Sequence, residues 1–327
     1  MMNRSPFFVP VVYEHAAQLI GKRPWEVSRD EDLLVAGHTA AFQAYHHEPI
    51  VAGIDVYNVE AEAYGSVLGD AGGIAIPSVE RHACGEVGEI IDLPAPDLAA
   101  DGRWPVVLGA ARRLKERFPE AQVCVPLSGP FSIASNLVGF EELLFGVLED
   151  PALVREALVH IARHQAEVIR HIHKSGLTCI VFESAATPPL LSPASFREVE
   201  LPALRVIATD HAVATGSDLA LVIGGNTVPI LTDLLDLHPG MLICPSETDR
   251  ARFMEMVRPH PGIIVRINMS PGVFTVAGSA GAQAEADTAL ALAAGRENVC
   301  IGTGVLPYDA DPATVTRIRT YVEEHRR

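Results

Sequence analysis

The chain has 327 residues, 48% of them apolar, and a formal net charge of −16. That length and apolar content support one large α/β domain or two small ones around a sizeable core. The acidic balance argues against nucleic-acid binding, which rests on Lys and Arg neutralising phosphates. No apolar run reaches the roughly 18 to 20 residues that a membrane span needs.

The N-terminal stretch from Met1 to Pro10 has neither an adequate apolar h-region nor a small-residue cleavage site, so no signal peptide is expected and the expected compartment is the cytoplasm. Cys84, Cys124, Cys179, Cys244 and Cys300 are odd in number and widely spaced. They read as reduced thiols rather than a disulfide framework.

Strand-like and helix-like segments alternate along the chain. The strand candidates are Pro49–Val56, Gln122–Pro126, Thr178–Phe182, Leu219–Ile223, Met241–Ile243, Ile263–Ile267 and Val299–Ile301. They are short and rich in Val and Ile, as strands buried on both faces should be. Between them, Asp101–Phe118, Pro151–Ser175, Ala251–Val257, Ala282–Ala294 and Pro312–Glu324 read as helices. A repeat of strand, loop, helix and strand at about 30 to 50 residues means βα units and a parallel sheet. With one further strand, the set makes a closed (β/α)8 TIM barrel. A doubly wound open sheet is the alternative, disfavoured because no GxGxxG follows the first strand. Residues 1–327 are therefore read as one barrel domain. Residues 66–100, Gly/Pro-rich and weakly periodic, read as a hairpin or lid inserted after the first barrel strand.

Chemistry in such a barrel gathers at the C-terminal strand ends. Asp55, Tyr57, Asn58, Glu60 and Glu62 crowd the end of the first candidate strand. Asp55 and Tyr57 are expected to face the site. Asn58 can cap a helix that carries Glu60 and Glu62 in its first turn, where the dipole favours carboxylates. Glu60 and Glu62 read equally well as pocket acids or metal ligands. Ser128 and Gly129 follow the next strand near a helix start, a place suited to an anion or carbonyl oxygen. Glu183 ends Cys179-Ile-Val-Phe-Glu, where a carboxylate is costly to bury unless it is paired or functional. Asn226, Asn268 and Thr303 hold matching positions after later strands and can orient a ligand. His160 and His164 are spaced i,i+4 without an evident third ligand and read as a solvated face. His46 and His47 read as structural. No residue is assigned as a metal ligand.

Several segments carry a resemblance: Val56 to Gly65, Ser128 to Ala134, Phe182 to Ser184, Leu191 to Arg197, Gly225 to Leu231 and Gly302 to Pro312. In this order they resemble the uroporphyrinogen decarboxylase superfamily, including its corrinoid-linked branch of methylcobalamin:coenzyme M methyltransferases. The resemblance implies a (β/α)8 barrel with its pocket at the strand C-termini. The decarboxylases carry an arginine-rich N-terminal segment, and Val9 to Ala17 here has no arginine. Their G-H-G histidine stands at Thr303. The zinc ligands of the thiol methyltransferases fall at Val222, Gly224 and Thr303, so zinc at that place is not expected. The Val-Glu-Ala-Glu run ending at Glu62 looks more like the methyltransferases.

The resemblance therefore implies methyl transfer between a small methylated substrate and cobalamin carried by a corrinoid partner protein. Asp55, Tyr57 and Glu183 are the expected catalytic residues. Asn58, Glu60, Glu62, Ser128, Asn226, Asn268 and Thr303 are the expected substrate-binding residues. One alternative is a lyase acting on a small carboxylic acid, with Arg266 as the carboxylate clamp. The other is a non-catalytic ligand-binding protein on the same scaffold. The oligomeric state stays open.

Overall fold

The computed structural model describes residues 7–326. Met1 to Pro6, weighed above for a leader, and the terminal Arg327 lie outside them. The strands in chain order are β1 (Phe8–Val11), β2 (Ile50–Val51), β3 (Val67–Gly69), β4 (Ser78–Arg81), β5 (Val123–Ser128), β6 (Thr178–Glu183), β7 (Ala220–Ile223), β8 (Met241–Cys244), β9 (Ile264–Met269) and β10 (Val299–Val305). Eight of them form one parallel sheet in the order β1-β10-β9-β8-β7-β6-β5-β2. That is a circular permutation of chain order. The sheet curls into a TIM-barrel-like cylinder whose seam lies between β1 and β2.

Side-chain alternation divides every strand between two cores. Val11, Cys124, Ile180, Phe182, Val222 and Ile243 meet inside the barrel. The rings of Tyr13, just past β1, and Phe182 on β6 approach to 5.6 Å across that interior. Phe8, Val125, Val181, Leu221, Leu242, Ile267 and Ile301 face outward into a larger core shared with the helices.

The helices follow their sequence signals closely. Asp150 accepts the Leu153 N–H at the start of Pro151–Lys174, with Pro at the first helical position. Its buried stripe runs through Val154, Ala157, Leu158, Ile161, Gln165 and Ile169. Gly176, at φ +73°, lies just past its end. Trp104–Arg117, Arg250–Val257, Ala282–Ala293 and Pro312–Glu324 stand within three residues of expectation at each end. Glu31–Tyr45, Pro130–Val138, Phe140–Glu149 and Leu201–Thr215 are further helices. Among the described residues, no single helix is long and apolar enough to cross a membrane.

Two expectations need correction. The missing strand is β1, so the excursion follows the second barrel strand rather than the first. Strand β1 is only four residues long and contains Pro10, which has no N–H for a ladder; the pairing with β10 shifts register there. The strand expected over Pro49–Val56 shrinks to Ile50–Val51. The backbone leaves the ladder because the Gly53 N–H turns to His38 Nε2 at 3.1 Å instead. The excursion itself is an antiparallel hairpin, β3 with β4, followed by a short helical turn over Val87–Asp92.

Candidate active site at the strand C-termini

The barrel mouth is built from the segments that leave β1, β2, β5, β6, β7, β9 and β10. Tyr13, directly after β1, holds φ +30°, a region that side-chain-bearing residues seldom adopt. Its hydroxyl is buried without a hydrogen-bond partner. Burial, followed by the nearby Tyr57, raises its pKa well above the usual phenol value. Glu14 follows and is part-buried. Burial first, and then the Asp55 charge, push its carboxyl up to about 7.

Asp55 does not stand free in the mouth. Its two oxygens meet the guanidinium of Arg103 at 2.8 Å each, with both side chains 3% exposed. Arg103 also reaches Glu62 at 2.5 Å, and Arg29 reaches the other Glu62 oxygen at 2.7 Å. Burial opposes the charge on Arg103, but Asp55 and Glu62 together hold its pKa above the ordinary value. Asp55 and Glu62 thus belong to one four-member ion network, buried at Asp55 and Arg103 and part-exposed at Glu62 and Arg29.

Glu60 is 3% exposed and lies on the short helix Val59–Ala63. It accepts from the Ser128 N–H at 3.0 Å, the Ser128 hydroxyl at 2.9 Å and Gln165 at 3.2 Å. Burial pushes it up to about 7, and the Ser128 and Gln165 bonds hold it from rising further. This bracket ties the end of β5 to two helices. The Val56 carbonyl lies 3.0 Å from the same Ser128 hydroxyl, a second acceptor competing for its one proton.

Glu183 shares the outward parity of Cys179 and Val181, while Phe182 points inside. Its carboxyl is fully buried and accepts from the Ser132 hydroxyl at 2.5 Å and from the N–H groups of Ser132, Ala185 and Ala186 at 2.7 to 3.2 Å. It sits at the N-terminus of Pro130–Val138, where the helix dipole favours a carboxylate. A Cβ on Gly129 would lie 2.2 Å from one of its oxygens, so this cradle needs glycine. Burial nevertheless raises its pKa. Glu200, fully buried in the π-helical turn Phe196–Glu200, lies beside it. Burial and then the Glu183 charge push the Glu200 pKa well above the usual carboxylate value. Neither Glu200 oxygen reaches a well-formed hydrogen bond.

Tyr57 packs against the interior layer. Burial pushes it up to about 12 against an opposing hydrogen bond with Ser184. Asn58 donates to the Pro77 carbonyl at 2.7 Å and so anchors the excursion. Asn226 is exposed and accepts from Thr248 at 3.1 Å. Asn268 is buried and accepts from Arg266 Nε at 3.1 Å. The Thr303 hydroxyl accepts the Val11 N–H at 3.0 Å and so repairs the broken β1–β10 ladder.

The expected residues therefore fall into three groups. Tyr57, Asn226 and Asn268 lie at the interior or the rim. Asp55, Asn58, Glu60, Glu62 and Ser128 interlock in polar brackets around β2 and β5. Glu183 faces the helix layer, and Thr303 completes a strand pair. Sequence reasoning missed Tyr13, Glu14, Arg103 and Glu200. The only sequence signal for the first two was their place after a short apolar run, β1 itself.

Eight parallel strands and alternating helices define a TIM-barrel-like protein, with its candidate site among the polar groups at the strand C-termini. A family model described as Uroporphyrinogen decarboxylase (URO-D) matches residues 2–325, and the chain belongs to that family. A curated relative, methylated-thiol–coenzyme M methyltransferase of Methanosarcina mazei, is 31% identical over 128 residues, covering 36% of this chain and 33% of the relative. That match spans about a third of the relative's length. A solved methyltransferase from Methanosarcina mazei superposes with a TM-score of 0.83 at 23% identity, covering 99% of this chain and 95% of that one. At that identity the likeness is one of fold.

Proposed function

We propose that the protein is a methyltransferase of the corrinoid-linked type, taking a methyl group from a small methylated thiol, ether or amine. The reading is supported by the similarity to the methylated-thiol–coenzyme M methyltransferase. The observation that carries it at the site is Glu14. A departing thiolate, alkoxide or amine needs a proton donor with a pKa near the working pH. Glu14 is part-buried at the mouth, with its carboxyl pushed up to about 7. Asp55, engaged by Arg103, supplies the negative charge that helps to keep that proton in place. As the carbon–heteroatom bond breaks, the heteroatom keeps the electron pair and takes the Glu14 proton. Tyr57, steadied by Ser184, orients the substrate beside it.

The cavity at the β1–β2 seam measures about 20 Å³, far too small for a corrin ring. A cobalamin would meet this chain only at the strand ends, held by its own carrier. When bound there, it supplies the cobalt centre that accepts the methyl group. Zinc does not fit the place that the resemblance gives it. Val222 and Gly224 carry no donor atom, and the Thr303 hydroxyl is already taken by Val11. No step is routed through zinc.

The test mixes purified protein with free cob(I)alamin and a panel of methyl thioethers, methyl ethers and methylamines, and follows cobalamin absorbance. Transfer from at least one donor is expected. Glu14→Gln should lower the rate by about 100-fold and remove the limb of the pH profile near 7. Absence of transfer across the panel would overturn the reading. A second reading, a lyase acting on a small carboxylic acid, is favoured by Arg266, whose side chain points into the interior.

A further inference from the structure

Arg266 lies on β9 between the outward residues Val265 and Ile267, so it enters the barrel together with Asn268. It is 5% exposed. Its Nε donates to Asn268, and its Nη2 is buried with no hydrogen-bond partner among the described residues. The fold makes room for it deliberately. A Cβ on Gly302 would lie 2.6 Å from Arg266 Cδ, so the arm crosses β10 only because that residue is glycine.

The electrostatic surroundings are unusual. A guanidinium stays protonated even when buried. The groups whose charges act on Arg266 are Cys300 and Tyr13, and no carboxylate is among them. Both are neutral at ordinary pH: burial pushes the Cys300 thiol up to about 11 and the Tyr13 phenol higher than usual. Arg103, the other buried arginine among the described residues, pairs with Asp55 and Glu62. A buried charge left uncompensated costs several kcal/mol.

Arg266 lines a cavity of about 20 Å³ at the seam between β1 and β2. Tyr13, Phe182, His38 and His47 share the lining. The Tyr13 hydroxyl and the Nδ1 atoms of both histidines are buried without partners. Burial lowers His38 to about 4 and His47 to about 3, so both are neutral rings able to donate one N–H. The space exceeds the roughly 10 to 15 Å³ that one water-sized particle requires, but not by enough for an organic molecule. A neutral water could satisfy the donors but would leave the guanidinium charge uncompensated.

We propose that this cavity is a binding site for a small monoanion of halide size, held by Arg266 and the Tyr13 hydroxyl inside the barrel. The proposal does not rest on the methyl-transfer reading. The carboxylate end of a substrate shares the same chemistry, and the test separates the two sources.

The protein is melted in sodium chloride or bromide, with ionic strength held constant by sodium gluconate. A saturable rise in Tm of about 2–4 °C with either halide is expected. Crystals grown in bromide should show an anomalous peak beside Arg266 Nη2, a readout that needs no variant. Arg266→Met should abolish the halide dependence, and Tyr13→Phe should weaken it. Equal melting in all salts together with no bromide peak would overturn the proposal. Stronger stabilisation by acetate than by chloride would overturn the halide assignment in favour of a carboxylate-bearing ligand.

Discussion

The two sides of the barrel handle buried charge in opposite ways. On the side of β2, β5 and β6, acids dominate and four of them are heavily engaged: Asp55 and Glu62 by arginines, Glu60 by Ser128 and Gln165, Glu183 by four donors, with Glu200 left as the exception. On the side of β9 and β10, a single cation, Arg266, reaches into the interior with one side-chain partner and one orphan nitrogen. The first arrangement is self-contained and rigid, because removing any member strands the others in a low-dielectric setting. The second is open, because its charge is left for something outside the chain to balance. A bracketed acid is therefore a poor candidate for contact with substrate, however acidic or conspicuous it looks in sequence.

The largest test of the self-contained side is Arg103→Met. It strands Asp55 and leaves Glu62 with Arg29 alone, and should cost about 3–5 kcal/mol by urea unfolding. A loss under 1 kcal/mol would mean that the network is not a unit.

A second test uses pH. The Glu60 pKa is about 7 in the fold against an unfolded value of 4.5. The folded state therefore holds this proton more tightly. That contribution is fully present below pH 4.5 and is lost as pH rises through 7. The difference corresponds to about 3 kcal/mol. Glu60→Gln should flatten that part of the stability profile, with Glu14 leaving a residual slope of the same sign. An unchanged profile would place Glu60 outside the titrating set.

On the open side, Gly302→Ala should cost about 1–3 kcal/mol, because the new methyl meets both Arg266 and the Val9 carbonyl, each at 2.6 Å. The loss should be accompanied by weakened halide dependence, which a change confined to the acid side would not produce. The smallest effect is expected at the exposed rim. Asn226→Ala, which removes one bond to Thr248, should stay within about 0.5 kcal/mol of wild type by thermal melting.

The contrast also explains which parts of the site were legible beforehand. Asp55, Glu60 and Glu183 announce themselves as carboxylates at the ends of apolar runs, and the fold buries all three among donors. Their partners come from far along the chain: Arg103 is 48 residues from Asp55, and Gln165 is 105 from Glu60. No local pattern marks such a partner. Arg103 in particular opens an ordinary amphipathic helix and reads as a surface residue.

By itself, the sequence determined the alternation of strands and helices, the approximate bounds of five helices and the superfamily. Those depend on local periodicity, caps and glycine-containing loops, all of which are written in neighbouring residues. Only the tertiary structure decided which face each strand turns inward. Strands buried on both sides are apolar throughout, so Val181, Phe182 and Glu183 give no sign of which one meets the interior. Curling the sheet sent Glu183 to the helices and Arg266 to the centre. It also brought Glu14 close enough to feel the Asp55 charge, with 40 residues of chain between them. A proton donor near neutrality and an uncompensated cation arise from that closure, because burial and proximity, rather than residue type, set their energies.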